Sequence, residues 1–111
     1  MSDWTDIGAL NAIPRQGARV VKTAGGCIAV FRTADDRAFA LQDRCPHKGG
    51  PLSQGIVHGA SVTCPLHNWV IDLETGRAQG ADVGETQSFA LRVEDGRLLL
   101  DLSALHMRKA G

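Results

Sequence analysis

Two stretches carry the chemistry of this chain: Cys45-Pro-His-Lys-Gly-Gly-Pro-Leu-Ser-Gln-Gly55 and Cys64-Pro-Leu-His-Asn-Trp-Val-Ile-Asp-Leu-Glu-Thr-Gly76. Each opens on a cysteine followed by proline, and each brings a histidine shortly after, at His47 and His67. Sixteen residues separate His47 from Cys64. Each stretch therefore offers one thiolate and one imidazole, the donors that transition-metal and iron–sulfur centres use.

Three chemistries compete for four such donors. A two-iron cluster with thiolates on one iron and imidazoles on the other needs two cysteines and two histidines, and two loops would grip it from both sides. A structural zinc ion also accepts Cys2His2, which would make the chain a zinc-stabilised binding module. Zinc modules usually pair cysteine with cysteine and histidine with histidine along the chain, whereas this sequence interleaves them. A Cys–His catalytic dyad leaves the second pair without a role. The interleaved order favours the cluster, with Cys45, His47, Cys64 and His67 as its ligands.

Outward from these loops the sequence reads as short strands. Phe89, Leu91 and Val93 alternate with Ser88, Ala90 and Arg92, and Leu98, Leu100 and Leu102 follow after Glu94-Asp95-Gly96, where Asp-Gly is a strong hairpin signal. Cys27–Arg32 and Ala38–Gln42 flank a second turn at Ala34-Asp35-Asp36, and Arg19–Thr23 precedes them. Ile56-Val57 and Ser61-Val62-Thr63 bracket His58-Gly59-Ala60, and Trp69–Leu73 runs into Glu74-Thr75-Gly76. One segment, Asp6–Ile13, has apolar spacing suited to a helical turn at Ile7, Leu10 and Ile13, stopped by Pro14. Thirteen glycines suit a loop-rich fold. Strands of this length with turns this frequent predict an all-β antiparallel sandwich or small barrel.

The bulk properties fit one domain, read as residues 1–103 with a cluster-binding part at about 43–73 and a tail at 104–111. Twelve basic and twelve acidic residues cancel, unlike the basic footprint of a nucleic-acid binder. No apolar run approaches the roughly 20 residues of a membrane helix, and the first residues lack a signal-peptide pattern, so a cytoplasmic location is expected. Three cysteines are a poor disulfide framework. Cys27, in Gly26-Cys-Ile-Ala-Val-Phe31, reads as a small buried hydrophobe. His58 and His106 read as solvated, Trp69 as packing under the second loop, and Pro51 and Leu52 as shielding the site.

The two quoted loops resemble those of Rieske [2Fe–2S] domains, and the similarity extends from about Trp4 to Leu102. The stretch from Cys45 through Ile56-Val57-His58-Gly59, with Gly80-Ala81-Asp82-Val83-Gly84 after the second loop, resembles the small subunit of assimilatory NAD(P)H nitrite reductase. That resemblance implies a Rieske-type antiparallel fold with a cluster-binding subdomain inserted between strands, and one [2Fe–2S] cluster per chain. It implies a partner, the large subunit carrying FAD, a [4Fe–4S] cluster and sirohaem, on which nitrite is reduced to ammonia. The small subunit would transfer single electrons, as a non-catalytic part of that enzyme. A free Rieske ferredoxin serving an aromatic-ring oxygenase is the alternative with the same fold and cluster. The chain contains no Gly-x-Gly-x-x-Gly fingerprint for a dinucleotide.

High-potential Rieske proteins carry an extra cysteine in each loop, at positions that here are Gly50 and Leu66, and a serine soon after the second histidine, where Asn68 and Trp69 stand. Fewer hydrogen bonds to the cluster sulfurs leave the reduced, more negative cluster less stabilised. The midpoint potential is therefore predicted at roughly −150 mV, the low end of the Rieske range. A redox titration giving a clearly positive potential would contradict this.

Overall fold

The computed structural model describes residues 4–23, 26–44, 51–64, 68–79 and 84–102. Ten strands follow one another: β1 (Trp4–Ala9), β2 (Gly17–Thr23), β3 (Gly26–Arg32), β4 (Ala38–Gln42), β5 (Ile56–His58), β6 (Ser61–Thr63), β7 (Val70–Asp72), β8 (Ser88–Phe89), β9 (Leu91–Glu94) and β10 (Arg97–Asp101). Two 3₁₀ turns, Leu10–Ala12 and Leu52–Gln54, complete the regular structure among the described residues. The strands form three antiparallel sheets, ordered β1-β10-β9, β2-β3-β4-β8 and β5-β6-β7. The predicted all-β antiparallel class is what the chain adopts. No helix among the described residues is long and apolar enough to cross a membrane.

The four-stranded sheet is the middle layer. Successive side chains on a strand point to opposite faces, and in β3 both faces are covered: Ile28 and Val30 enter one apolar cluster, Ala29 and Phe31 the other. β4 repeats the pattern with Ala40 and Leu41. The first cluster joins the middle sheet to Leu98 and Leu100 of β10, with Phe89 and Ile13. The second joins it to Val57, Val62 and Ile71 of the three short strands, with Leu52, Cys64 and Leu73. A strand buried on both faces is apolar at consecutive positions rather than alternate ones, which is why Ile28–Phe31 shows no polar interruption.

Turn chemistry fixes the registers. Between β9 and β10 the two loop residues, Asp95 and Gly96, have φ of 51° and 76°, the paired positive values that a tight type I′ hairpin requires. Between β3 and β4, Thr33 N–H donates to the Arg37 carbonyl at 2.9 Å and Asp36 takes φ of 66°. That pattern matches a three-residue hairpin loop ending in a left-handed residue.

Two sequence expectations are corrected. Asp6–Ile13 is not a helical turn over its length: residues 6–9 continue β1, and only Leu10–Ala12 turns. A bulge at Ile7, between Asp6 paired with Leu99 and Gly8 paired with Leu98, rotates the strand so that Ile7 still packs on the core with Leu10 and Ile13. The helix-like spacing thus records a bulged strand followed by a tight turn. The single alternating run at 88–93 is two strands: Phe89 pairs with Ala40 in the middle sheet, and Leu91 pairs with Leu100 in the outer one. The chain changes sheets at Ala90, as sandwich corners do.

Among the described residues, Arg32 is the charged residue that is buried. Its guanidinium donates to the Ile13 carbonyl at 2.8 Å and to Asp36 Oδ1 at 2.8 Å, and Arg15 approaches the same carboxylate at 2.9 Å. The hydrogen bonds from Arg15 and then Arg32 hold the Asp36 carboxyl down at about 2, against an ordinary 3.8. A lowered folded-state pKa adds stability that is fully present above the unfolded value and is lost as pH falls through the folded one. Asp36→Asn, which keeps tolerance of the left-handed backbone, is predicted to lower the urea midpoint at pH 7, with the gap from wild type closing as pH falls from about 4 to about 2. A gap that persists unchanged at pH 2 would show that the charge is not responsible.

Gly55 is a close-approach glycine of ordinary backbone angle. A Cβ there would fall within contact distance of the Thr63 carbonyl oxygen and 2.9 Å from Val62 Cγ2. Gly55→Ala is predicted to push the Leu52–Gln54 turn off β6 and cost about 1–3 kcal/mol, the range for overpacking a filled site. Chemical denaturation measures it.

Candidate metal centre

Three segments that the sequence singles out, 45–50, 65–67 and 80–83, are flanked by described residues, and each has a defined base. Cys45, His47 and His67 lie outside the described residues, as do Pro46, Lys48, Pro65, Leu66 and His106. Cys64 is the one candidate ligand the structure describes. It follows the last residue of β6, is 1% exposed, and belongs to the apolar cluster of Leu52, Val57, Val62, Ile71 and Leu73. A sulfur donor is thus sealed from water at the end of a short, fully paired strand. Soft thiolates suit iron–sulfur centres, and the surrounding apolar shell limits solvent access to whatever the sulfur binds.

The bases of the loops are built differently. The second loop leaves β6 and returns to β7, which are already paired, so the ladder simply extends: Cys64 N–H donates to the Trp69 carbonyl at 2.7 Å. Asn68 takes φ of 60° as the chain returns, a conformation that asparagine tolerates better than most residues. The third loop closes in the same way, with Ala78 N–H on the Gly84 carbonyl at 2.9 Å. Its stem is held to the core by Gly76, at φ of 79°, whose carbonyl accepts the Thr86 N–H at 2.8 Å.

Among the described residues, no ladder joins the two ends of the first loop. It leaves β4 in the middle sheet and re-enters at the Leu52–Gln54 turn, which leads into another sheet. A carboxylate does the work instead. Asp43 accepts hydrogen bonds from the Ser53 backbone N–H at 2.7 Å and from the Ser53 hydroxyl at 2.8 Å. Asp43's own N–H donates to the Cys27 carbonyl at 2.9 Å, fixing it to β3. Neither Asp43 nor Ser53 stands out in the sequence. The available signal was weak: a short acidic residue just past a strand, and a serine inside a turn, both ordinary in loops.

Other expectations resolve residue by residue. Cys27 is exposed, not buried. It sits at the start of β3, before the covering layers begin at Ile28, so the apolar run around it in sequence does not enclose it in space. His58 is exposed as expected, and its Nε2 lies 2.7 Å from Thr63 Oγ1 across the outer face of the short sheet. Trp69 packs, half-buried, against the cluster that holds Cys64. Leu52 is a full member of that core, 0% exposed.

With this geometry in hand, comparison with known proteins is specific. The Rieske [2Fe-2S] domain model matches residues 3–98. The anthranilate 1,2-dioxygenase ferredoxin subunit of Burkholderia cepacia is 32% identical over 99 residues, covering 88% of this chain and 91% of the relative. Among solved structures, the proposed NADH-dependent nitrite reductase small subunit of Mycobacterium tuberculosis superposes with a TM-score of 0.82 at 22% identity, covering 91% of this chain and 96% of that one. A chain of the complex of reduced oxygenase and oxidised ferredoxin in carbazole 1,9a-dioxygenase gives a TM-score of 0.78 at 24% identity, covering 88% of this chain and 92% of that one. At these identities the structural matches speak for the fold. The family model, spanning nearly the whole chain, and the ferredoxin relative speak for descent: the chain belongs to the Rieske [2Fe-2S] domain family, whose members carry a Rieske-type cluster and transfer electrons.

Proposed function

We propose that this chain is the electron-transfer small subunit of an NAD(P)H-dependent assimilatory nitrite reductase, and that it holds its cluster through Cys45, His47, Cys64 and His67. The observation that carries the assignment is the sequence from Cys45 through Ile56-Val57-His58-Gly59, continued by Gly80–Gly84, which resembles that subunit at both loops and between them. Within it, Ile56-Val57-His58 is the edge strand β5, and Gly59, at φ of 57°, turns the chain into β6. The fold agrees with that of the mycobacterial protein over 91% of the chain.

When bound, a Rieske cluster takes up and releases one electron at a time. The chain's own residues would hold it, and the apolar shell around Cys64 would keep water from that sulfur. The Cys45 and Cys64 thiolates would hold the inner iron, and the burial of Cys64 among Leu52, Val62 and Ile71 supports that role. His47 and His67 would hold the outer iron and face the partner. Residues 1–103 act as one unit, with 104–111 outside it. Nitrite chemistry belongs to a large subunit with FAD, a [4Fe–4S] cluster and sirohaem.

A second reading has its own support. The 32% identity to a dioxygenase ferredoxin over nine tenths of both chains favours a free Rieske ferredoxin serving an aromatic-ring oxygenase. Both readings require the same ligands, so two experiments divide the question. Cys45→Ser, His47→Ala, Cys64→Ser and His67→Ala are each predicted to abolish the visible absorption and the low-temperature EPR signal of the dithionite-reduced protein. A variant that keeps a full signal removes that residue from the ligand set. Affinity purification of the chain from its native host is predicted to recover a large sirohaem protein, whereas electron delivery to an oxygenase without such a complex would select the ferredoxin reading.

A further inference from the structure

The three loop bases described above differ in one respect that assigns a role to two residues outside the ligand set. The second and third loops close with backbone hydrogen bonds, Cys64 to Trp69 and Ala78 to Gly84. The first crosses from the middle sheet to the short-stranded one, and among the described residues its base is closed by side chains, through both oxygens of Asp43 on the N–H and hydroxyl of Ser53. Asp43 is tied by its own N–H to the Cys27 carbonyl at the start of β3. Ser53 lies beside Leu52, which is locked into the same apolar cluster as Cys64. The carboxylate therefore links the frame of the first loop to the frame of the second.

We propose that Asp43 and Ser53 are positioning residues for the cluster: their clamp fixes the base of the loop bearing Cys45 and His47, so that its two donors are held at the spacing the Cys64 and His67 loop requires. The proposal rests on the ligand assignment above. A carboxylate accepting from an N–H and an O–H forms charge-assisted bonds, roughly twice as strong as neutral ones. Groups that orient ligands without touching the metal typically change metal retention by about 10- to 100-fold when removed. The clamp spans a loop of nine residues, 44–52, whose ends no ladder brings together among the described residues. Without it the loop's donors must be gathered from a wider set of conformations at an entropic cost.

The test uses the full chain loaded with its cluster. Release of iron to a chelator is followed at the visible absorption band, and the EPR spectrum of the reduced protein is recorded alongside. Asp43→Ala is predicted to accelerate release by about tenfold or more and to broaden or shift the EPR signal. Asp43→Asn is predicted to stay within about threefold of wild type, because its amide oxygen can accept the Ser53 N–H and its amide nitrogen can donate to the Ser53 hydroxyl. Ser53→Ala, which keeps the backbone bond, is predicted to fall between them. Urea unfolding of the cluster-free proteins is predicted to shift little compared with the change in release. Wild-type release and an unchanged spectrum in Asp43→Ala would overturn the proposal. So would Asp43→Asn behaving like Asp43→Ala, or loss of stability in the cluster-free variant that accounts for the whole effect. If Cys45→Ser or His47→Ala retains a full cluster, the ligand assignment fails, and that outcome is separate from the response to Asp43.

Discussion

Burial of β3 and β4 on both faces is the constraint on which the other layers depend. Ile28 and Val30 anchor the outer sheet through Leu98 and Leu100, while Ala29, Phe31 and Leu41 anchor the short-stranded sheet through Val57, Val62 and Ile71. β5, β6 and β7 have only three residues each. Strands that short do not hold a sheet together alone. They are ordered because one face of the sheet lies on Phe31 and Leu41, and Leu52 completes the fit from the turn that precedes them.

This dependence sets the rigidity of the candidate centre. Cys64 is part of the packed cluster, not an appendage to it, so the position of its sulfur follows from core packing. Cores are close-packed and resist small displacements. The same packing explains the tight seat of Gly55 against β6 and the need for glycine at Gly76, where a Cβ would meet the Thr86 carbonyl. A site that exchanges electrons without moving atoms is well served by ligands mounted on such a frame, since supporting shells hold first-contact groups in geometry. Membership in the Rieske family accounts for the donor types; the three layers account for how they can be held.

Charge in the chain is used locally rather than as a field. Acidic and basic residues balance, and the strongest grouping, Arg15, Arg32 and Asp36, sits at the β3–β4 hairpin rather than beside the described part of the candidate centre. There the buried Arg32 also satisfies the carbonyl of Ile13. At the loop bases, Asp43 is engaged by Ser53 and Glu85 pairs with Arg77.

The proposed donor set was legible in sequence because metal chemistry demands particular side chains, and Cys45, His47, Cys64 and His67 would supply two thiolates and two imidazoles. The hairpins were legible for a similar reason: Asp95-Gly96 and Gly59-Ala60 carry local backbone preferences that act over two residues. Sequence alone also carried the all-β class through the alternation at Leu98–Leu100 and the short spacing of turns. Tertiary structure decided the rest. A helix-like spacing at Ile7, Leu10 and Ile13 became a bulged strand and a turn, because a bulge redirects side chains in a way that periodicity cannot encode. Cys27 lies in an apolar run yet is exposed, because burial depends on where neighbouring layers end. The Asp43–Ser53 clamp joins residues ten apart across a gap between sheets, and only the placement of those sheets makes a hydrogen bond there necessary.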